Sequence, residues 1–286
     1  MAYLERNGRR LHFELDGSQG SPVLMLMGFG MSIKGWLRQR PALASSHRLV
    51  LLDNAGIGGS DPPPRRRWSM RDMAADALTL VDALELPSVH VVGVSMGGMI
   101  AQQLALDAPE RVRSLSLVVT HPGGRFLLPP LRGLRLFAQL NFLPIGRLAR
   151  SPKLSNSPDG AKPVDTLLEL LFPMPYIESR REELQRLFSY PPSPAATRLS
   201  QLWAVLAHQP GARLSLLSAI PSLVVGAAKD VLIEPKASEV LASRINAQRF
   251  VLMPQAGHGV MFQCHEALNR HLLEHFAETD ATQQAR

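Results

Sequence analysis

The chain contains a single cysteine, Cys264, so no disulfide can form within it. A reducing compartment suits that composition, and a cytoplasmic location is the expectation. Aromatic residues make up only 6% of the 286 residues, with three Tyr and three Trp. They do not interleave with the basic residues as a nucleic-acid surface requires, so no nucleic acid partner is expected. No apolar run approaches the ~18 residues of a membrane span, which argues against stable membrane insertion. There is no H-E-x-x-H and no Cys/His cluster, so no metal is expected. The Gly-rich stretch Asn54-Ala-Gly-Ile-Gly-Gly-Ser-Asp61 lacks a following G-K-[ST] and does not lead as G-x-G-x-x-G into a helix. A nucleotide site is therefore rejected, and no cofactor is expected. The N-terminal residues MAYLERNGRRLHFELDG are charged and alternating. They read as a first strand or hairpin rather than a secretory signal.

What is present is the composition of a globular chain, with 45% hydrophobic residues and length enough for a large core. The formal charge is +7. Its one dense basic cluster, Arg65-Arg66-Arg67, follows three prolines and reads as a solvated loop. Residues 122–209 hold eleven Arg and Lys against six Asp and Glu, which is most of the surplus.

Strand and helix patterns alternate along much of the chain. Strands are expected at Arg9–Leu15, Val23–Met27, Arg48–Leu52, Val89–Val94, Ser114–Thr120, Ser222–Val225 and Arg249–Met253. Helices are expected at Trp36–Leu43, from Ser69 to Leu84, at Met99–Leu106, Pro235–Ile245 and His265–Phe276. Ser69 with Asp72 three residues on marks a helix start. The alternation predicts a mostly parallel sheet covered on both faces. It breaks over 121–209, which is rich in Pro, Leu and Arg and shows helix candidates but no clear strand. The expected organisation is a core over 1–120, a helical cap over 121–209, a second core part over 210–278, and a frayed polar tail over 279–286.

The chain is organised around His90 to Leu106, where Gly93-Val-Ser95-Met-Gly97 joins an apolar strand to a helix. A sharp strand-to-helix turn leaves no room for side chains at the flanking glycines and projects the Ser95 hydroxyl at a helix N-terminus. The partial positive charge there suits a developing oxyanion. Asp230 and His258 each follow a later expected strand, and strand ends are where sites assemble in open α/β sheets. Ser95 as nucleophile, His258 as base and Asp230 as the group orienting the imidazole form a consistent catalytic set. Asp230 could instead precede and cap a helix, and Asp53 also ends a strand.

Five stretches together resemble the α/β-hydrolases, in particular 3-oxoadipate enol-lactonases and esterases. They are Met27-Gly-Phe-Gly30, Asp53-Asn-Ala-Gly-Ile-Gly-Gly-Ser-Asp61, Gly93-Val-Ser-Met-Gly-Gly98, Gly226-Ala-Ala-Lys-Asp230 and Ala256-Gly-His258. The resemblance covers roughly residues 8–120 and 210–276. It implies an eight-stranded, mostly parallel sheet with a helical cap inserted after the sixth strand, and backbone N–H groups of Phe29 and Met96 as the oxyanion hole. Substrate contacts are expected from Gly28, His121 and Trp203, with a plain loop histidine as the alternative for His121. Two positions depart from the family, which often has His where this chain has Met27 and Arg where it has Ala55. The implied activity is hydrolysis of an ester, lactone or thioester of a small molecule. Carbon–carbon bond hydrolases, cofactor-free haloperoxidases and polyester depolymerases share the triad, and a non-catalytic ligand receptor could share the fold. Those alternatives, the natural substrate and the oligomeric state stay open at this level.

Overall fold

A computed structural model describes residues 2–65, 67–126, 128–141, 163–189 and 192–284. Arg66 of the basic cluster, and 142–162 of the expected cap, lie outside the described residues. Eight strands make one sheet: β1 (Ala2–Arg6), β2 (Arg9–Asp16), β3 (Pro22–Leu26), β4 (Arg48–Leu52), β5 (Val89–Val94), β6 (Val112–Val118), β7 (Ser222–Ala227) and β8 (Arg249–Met253). Their spatial order is β1-β2-β4-β3-β5-β6-β7-β8. β2 pairs antiparallel with β1 and with β4, and every other pairing is parallel.

The inner strands are continuous apolar runs because both faces are covered. Leu24, Leu26, Val91, Leu117 and Val224 point into one core. Val23, Met25, Val92, Val94 and Val225 point into the other. The first core is closed by α1 (Met70–Ala83) and α2 (Met96–Asp107). Ser69 and Asp72 form the expected capping box on α1, with the Asp72 N–H donating to Ser69 Oγ and Asp72 Oδ2 accepting from the Ser69 N–H. Among the described residues between β6 and β7 lie the helices α3 (Leu131–Asn141), α4 (Pro163–Leu171), α5 (Met174–Phe188) and α6 (Ala195–Ala207). After β7 come α7 (Pro235–Arg244) and, closing the second core, α8 (His265–Gln284). Among the described residues no helix is long and apolar enough to cross a membrane.

Several boundaries differ from the sequence expectation: the helix expected at Trp36–Leu43 is instead a 3₁₀ turn, Ile33–Trp36, followed by a short helix, Arg40–Leu43, and α2 begins at Met96 rather than Met99. Two further differences have a clear physical cause. β6 ends at Val118 rather than Thr120, because Val119 turns to φ 42°. The last helix does not stop near Phe276 and fray but runs to Gln284. Its polar end is held by Asp280, whose carboxylate accepts from Ser21 Oγ at 2.6 Å and from Arg113 Nη1 at 2.7 Å. Those donors lie at β3 and β6, so the fixed point is tertiary and leaves no mark on the polar segment itself.

His90, fully buried in β5, meets the same carboxylate through Nε2 at 3.1 Å and Ser114 Oγ through Nδ1 at 2.7 Å. Burial pushes His90 and His208 down to about 3, and His121 and His275 down to about 4. All four rings are neutral in the folded chain at neutral pH, whereas in the unfolded chain they titrate near the ordinary value of about 6.5. Below that value the unfolded state binds protons that the native state refuses, so stability must fall with pH. The melting temperature is expected to hold above pH ~6.5 and to drop progressively towards pH ~4. Thermal unfolding followed by circular dichroism across that range checks this. A flat or rising melting temperature on acidification contradicts it.

Candidate active site

The loop that carries Ser95 is shaped by close packing on both sides. A Cβ on Gly97 would lie 2.1 Å from Leu26 O, and one on Gly93 would lie 2.4 Å from Gly97 O. Only glycine lets α2 start this close to β3 and β5. Ser95 itself sits at φ 55°, ψ −119°, a conformation that L-residues adopt rarely. It is held there by its N–H donating to Val118 O at 2.9 Å and by Thr120 Oγ1 donating to its carbonyl at 2.8 Å.

Gly28, in the loop after β3, packs directly on this serine, since a Cβ there would come 3.2 Å from Ser95 Cβ. Asn54 Nδ2 donates to Met27 O at 3.0 Å, and the Gly30 N–H donates to Gln201 Oε1 at 2.8 Å, tying the loop to α6. The N–H groups of Phe29 and of Met96, the first residue of α2, take no partner among the described residues. Two free backbone donors flanking a serine hydroxyl are what an oxyanion hole needs. Met27 and Ala55, where the family often has His and Arg, are both buried in the apolar cores.

His258 lies past β8 between Gly257 and Gly259. Both glycines are pressed against the end of α4 and the residue after it. Cβ atoms there would meet Leu171 O at 2.6 Å and Phe172 Cε1 at 2.3 Å. The Gly259 N–H donates to Leu171 O at 2.7 Å. His258 Nδ1 is 2.7 Å from Asp230 Oδ2. Asp230 Oδ1 accepts from the N–H groups of Leu232 at 2.7 Å and Ile233 at 2.9 Å, so the carboxylate keeps one oxygen for the ring. An acceptor at Nδ1 places the imidazole proton there and leaves Nε2 as a free base.

The other strand-end carboxylate, Asp53, is committed elsewhere. It accepts from His12 Nδ1 at 2.7 Å, from the Gly59 N–H at 3.0 Å and from the Ile33 N–H at 2.8 Å. It is 1% exposed and ties together the loops that follow β3 and β4.

A cavity of about 640 Å³ opens over Ser95. Ser95, His258, Gly28, Phe29, Met96 and His121 all line it. Its remaining wall is chiefly apolar: α3, α4 and α6 contribute Phe137, Leu167 and Leu202 among others, and the core side adds Met27, Leu232 and Phe262. Trp203, expected among the substrate contacts, does not line it and packs against the first core instead. On α6 the cavity face carries Arg198, Leu202, Val205 and Leu206, and position 203 lies about 100° round the helix from 202. Leu199, by contrast, is turned to solvent at 55% exposure. Gln201, which anchors the loop after β3, is not legible in the sequence as a site residue. A lone glutamine on an amphipathic helix carries no signal of its buried partner.

The family described as the alpha/beta hydrolase fold matches residues 21–263, and the chain belongs to it. The protein of Variovorax paradoxus (strain S110) that bears the name "Putative carbamate hydrolase RutD" is 31% identical over 278 residues, covering 95% of this chain and 97% of the relative. Among solved structures, a hydrolase from Pseudomonas aeruginosa PA01 superposes with a TM-score of 0.75 at 25% identity, covering 96% of this chain and 97% of that one. The enol-lactonase from Burkholderia xenovorans LB400 gives a TM-score of 0.77 at 20% identity, over 96% of this chain and all of that one. At that identity the likeness concerns the fold.

Proposed function

We propose that this hydrolase-family protein is a serine hydrolase that cleaves a carboxylic ester, lactone or thioester of an apolar small molecule, with Ser95, His258 and Asp230 as its triad. The observation that carries the reading is the 2.7 Å contact of His258 Nδ1 with Asp230 Oδ2, on a ring that shares one cavity with Ser95.

In this mechanism His258 Nε2 takes the hydroxyl proton as Ser95 Oγ attacks the substrate carbonyl carbon. The tetrahedral oxyanion accepts from Phe29 N–H and Met96 N–H, with the N-terminus of α2 adding its partial positive charge. Collapse expels the leaving group, which takes the proton from His258, and an acyl-Ser95 remains. Water then attacks the acyl carbon with His258 again as base, releasing the acid and restoring the hydroxyl. The base must be neutral to act, so activity falls on the acid side. The triad and the two N–H groups supply every proton transfer and charge contact, and no cofactor is needed.

In the same reading residues 121–209 form a cap domain. A segment of that size has little core of its own and must bury apolar surface on the domain beneath. α3, α4 and α6 accordingly supply the roof of the cavity. The name carried by the Variovorax relative puts carbamates among the substrates worth testing, but this wall favours an acyl chain over a small polar carbamate.

Each buried methylene is worth ~0.8 kcal/mol, so kcat/KM should rise roughly three- to four-fold per CH₂ until the pocket is full. The expected profile on p-nitrophenyl esters from acetate to laurate climbs to a maximum at medium length and then falls. A steady decline from acetate onward overturns the apolar-substrate assignment. Absence of turnover on every ester overturns the esterase reading.

A further inference from the structure

Among the described residues the cavity lining holds a second histidine, in addition to His258, that this mechanism does not use. His121 lies three residues past the end of β6 and is 1% exposed. It is brought there by Val119, a β-branched residue at φ 42° whose N–H is fastened to Val225 O at 2.8 Å. A β-branched side chain in that region is strained, and the strain persists only where the surroundings hold it. The kink turns Thr120 onto the Ser95 carbonyl and His121 into the cavity lining.

The imidazole is then held from two directions. Its Nδ1 accepts the Gly123 N–H at 3.0 Å. Gly123 itself adopts φ 74°, and a Cβ on it would lie 2.5 Å from His208 O. The main chain of His121 is fixed by Gln102 Nε2 donating to its carbonyl at 3.2 Å, and Gln102 Oε1 lies 3.4 Å from His208 Nε2. Because Nδ1 accepts, the ring proton resides on Nε2. Burial keeps the ring neutral, pushing it down to about 4. Nε2 has no hydrogen-bond partner among the described residues, and the residue lines the cavity. The result is a neutral N–H donor, fixed in tautomer, in the wall beside the serine.

We infer that His121 is a specificity-determining residue whose Nε2–H donates to an oxygen of the bound substrate, so that the preferred substrate is an apolar ester or lactone bearing a second carbonyl, hydroxyl or ether oxygen near the scissile carbonyl. This rests on the serine-hydrolase reading above. A hydrocarbon placed against that donor leaves it unpaired, and sites built around a buried donor reject ligands that lack the acceptor.

Two isosteric pairs test it: p-nitrophenyl methoxyacetate against p-nitrophenyl butyrate, with the oxygen on the acyl side, and 2-methoxyethyl butyrate against butyl butyrate, with the oxygen on the alcohol side. The quantity read is the ratio of kcat/KM within each pair, compared between variants so that intrinsic reactivity cancels. His121→Phe should lower the oxygen-to-hydrocarbon ratio in at least one pair by roughly three- to ten-fold. His121→Gln, which retains an N–H donor, should restore part of it. His121→Leu, also without a donor, is the second variant should the phenylalanine not fold. Labelling of Ser95 by a fluorophosphonate, run alongside, reports the folded nucleophile in each protein. Unchanged ratios in both pairs with Ser95 labelled overturn the role of His121 alone. Absence of both labelling and turnover in the unaltered protein overturns it together with the serine-hydrolase reading.

Discussion

Ser95→Ala is expected to abolish hydrolysis and to leave the fold untouched. Removing one member of a serine triad lowers kcat by ~10⁴ to 10⁶ in the serine hydrolases where it has been measured. The structural cost here is small because, among the described residues, Ser95 makes its hydrogen bonds through its main chain. Ser95 N–H still donates to Val118 O, and its carbonyl still accepts from Thr120 Oγ1 and from the Gly98 N–H. Alanine adopts φ 55° at much the same cost as serine, and the flanking glycines keep their clearance. The measurements are kcat on a p-nitrophenyl ester, the melting temperature, and stoichiometry of a fluorophosphonate adduct located by mass spectrometry. The unaltered chain should carry one adduct on Ser95 and the variant none, with equal melting temperatures. Activity above a small fraction of the original in a folded variant places the nucleophile elsewhere.

The legible parts of this molecule are those where local chemistry and tertiary role coincide. Val23 to Leu26 and Val89 to Val94 read as strands because both faces are buried, and the structure buries every one of those residues. Gly93 and Gly97 are legible because only a missing side chain lets α2 approach β3, a constraint written in the residue type. The Gly-rich surroundings of His258 are legible on the same ground. What sequence could not show are placements made by distant partners. Trp203 has an apolar ring at helical spacing, but which way α6 turns depends on how Trp203 and Ala204 pack into the first core. Gln201 and Gln102 gain their roles only from a loop N–H and a histidine carbonyl far away in the chain. The helical course after Phe276 is set by Asp280 reaching Ser21 and Arg113, not by the polar residues around it. Val119 is the sharpest case, because a valine at the end of an apolar run argues for continued strand. The left-handed turn it adopts is imposed by its neighbours, and His121 owes its place in the cavity to that turn.

Asp230→Asn and Asp53→Asn should fail in opposite ways. At position 230 two backbone donors, Leu232 N–H and Ile233 N–H, converge on one oxygen. An asparagine there turns its carbonyl to those donors and presents its NH₂ to His258 Nδ1. The ring must then accept at Nδ1 and carry its proton on Nε2, where it cannot receive the proton of Ser95. A wrong tautomer of this kind lowers kcat by ~10⁴ in a well-studied serine protease. The fold should hardly notice, since all the polar atoms remain paired. At position 53 both carboxylate oxygens accept backbone N–H groups, Oδ1 from Ile33 and Oδ2 from Gly59. Whichever way an asparagine turns, its NH₂ faces one of those donors, and a buried group left unpaired costs about 1–3 kcal/mol. Asp53→Asn should therefore lower the melting temperature by several degrees, while kcat in the folded fraction falls far less than for Asp230→Asn. Both variants are to be measured for kcat and for thermal unfolding under the same conditions. Equal and mild losses of kcat would mean that the carboxylate orienting His258 in catalysis is not Asp230, despite the 2.7 Å contact.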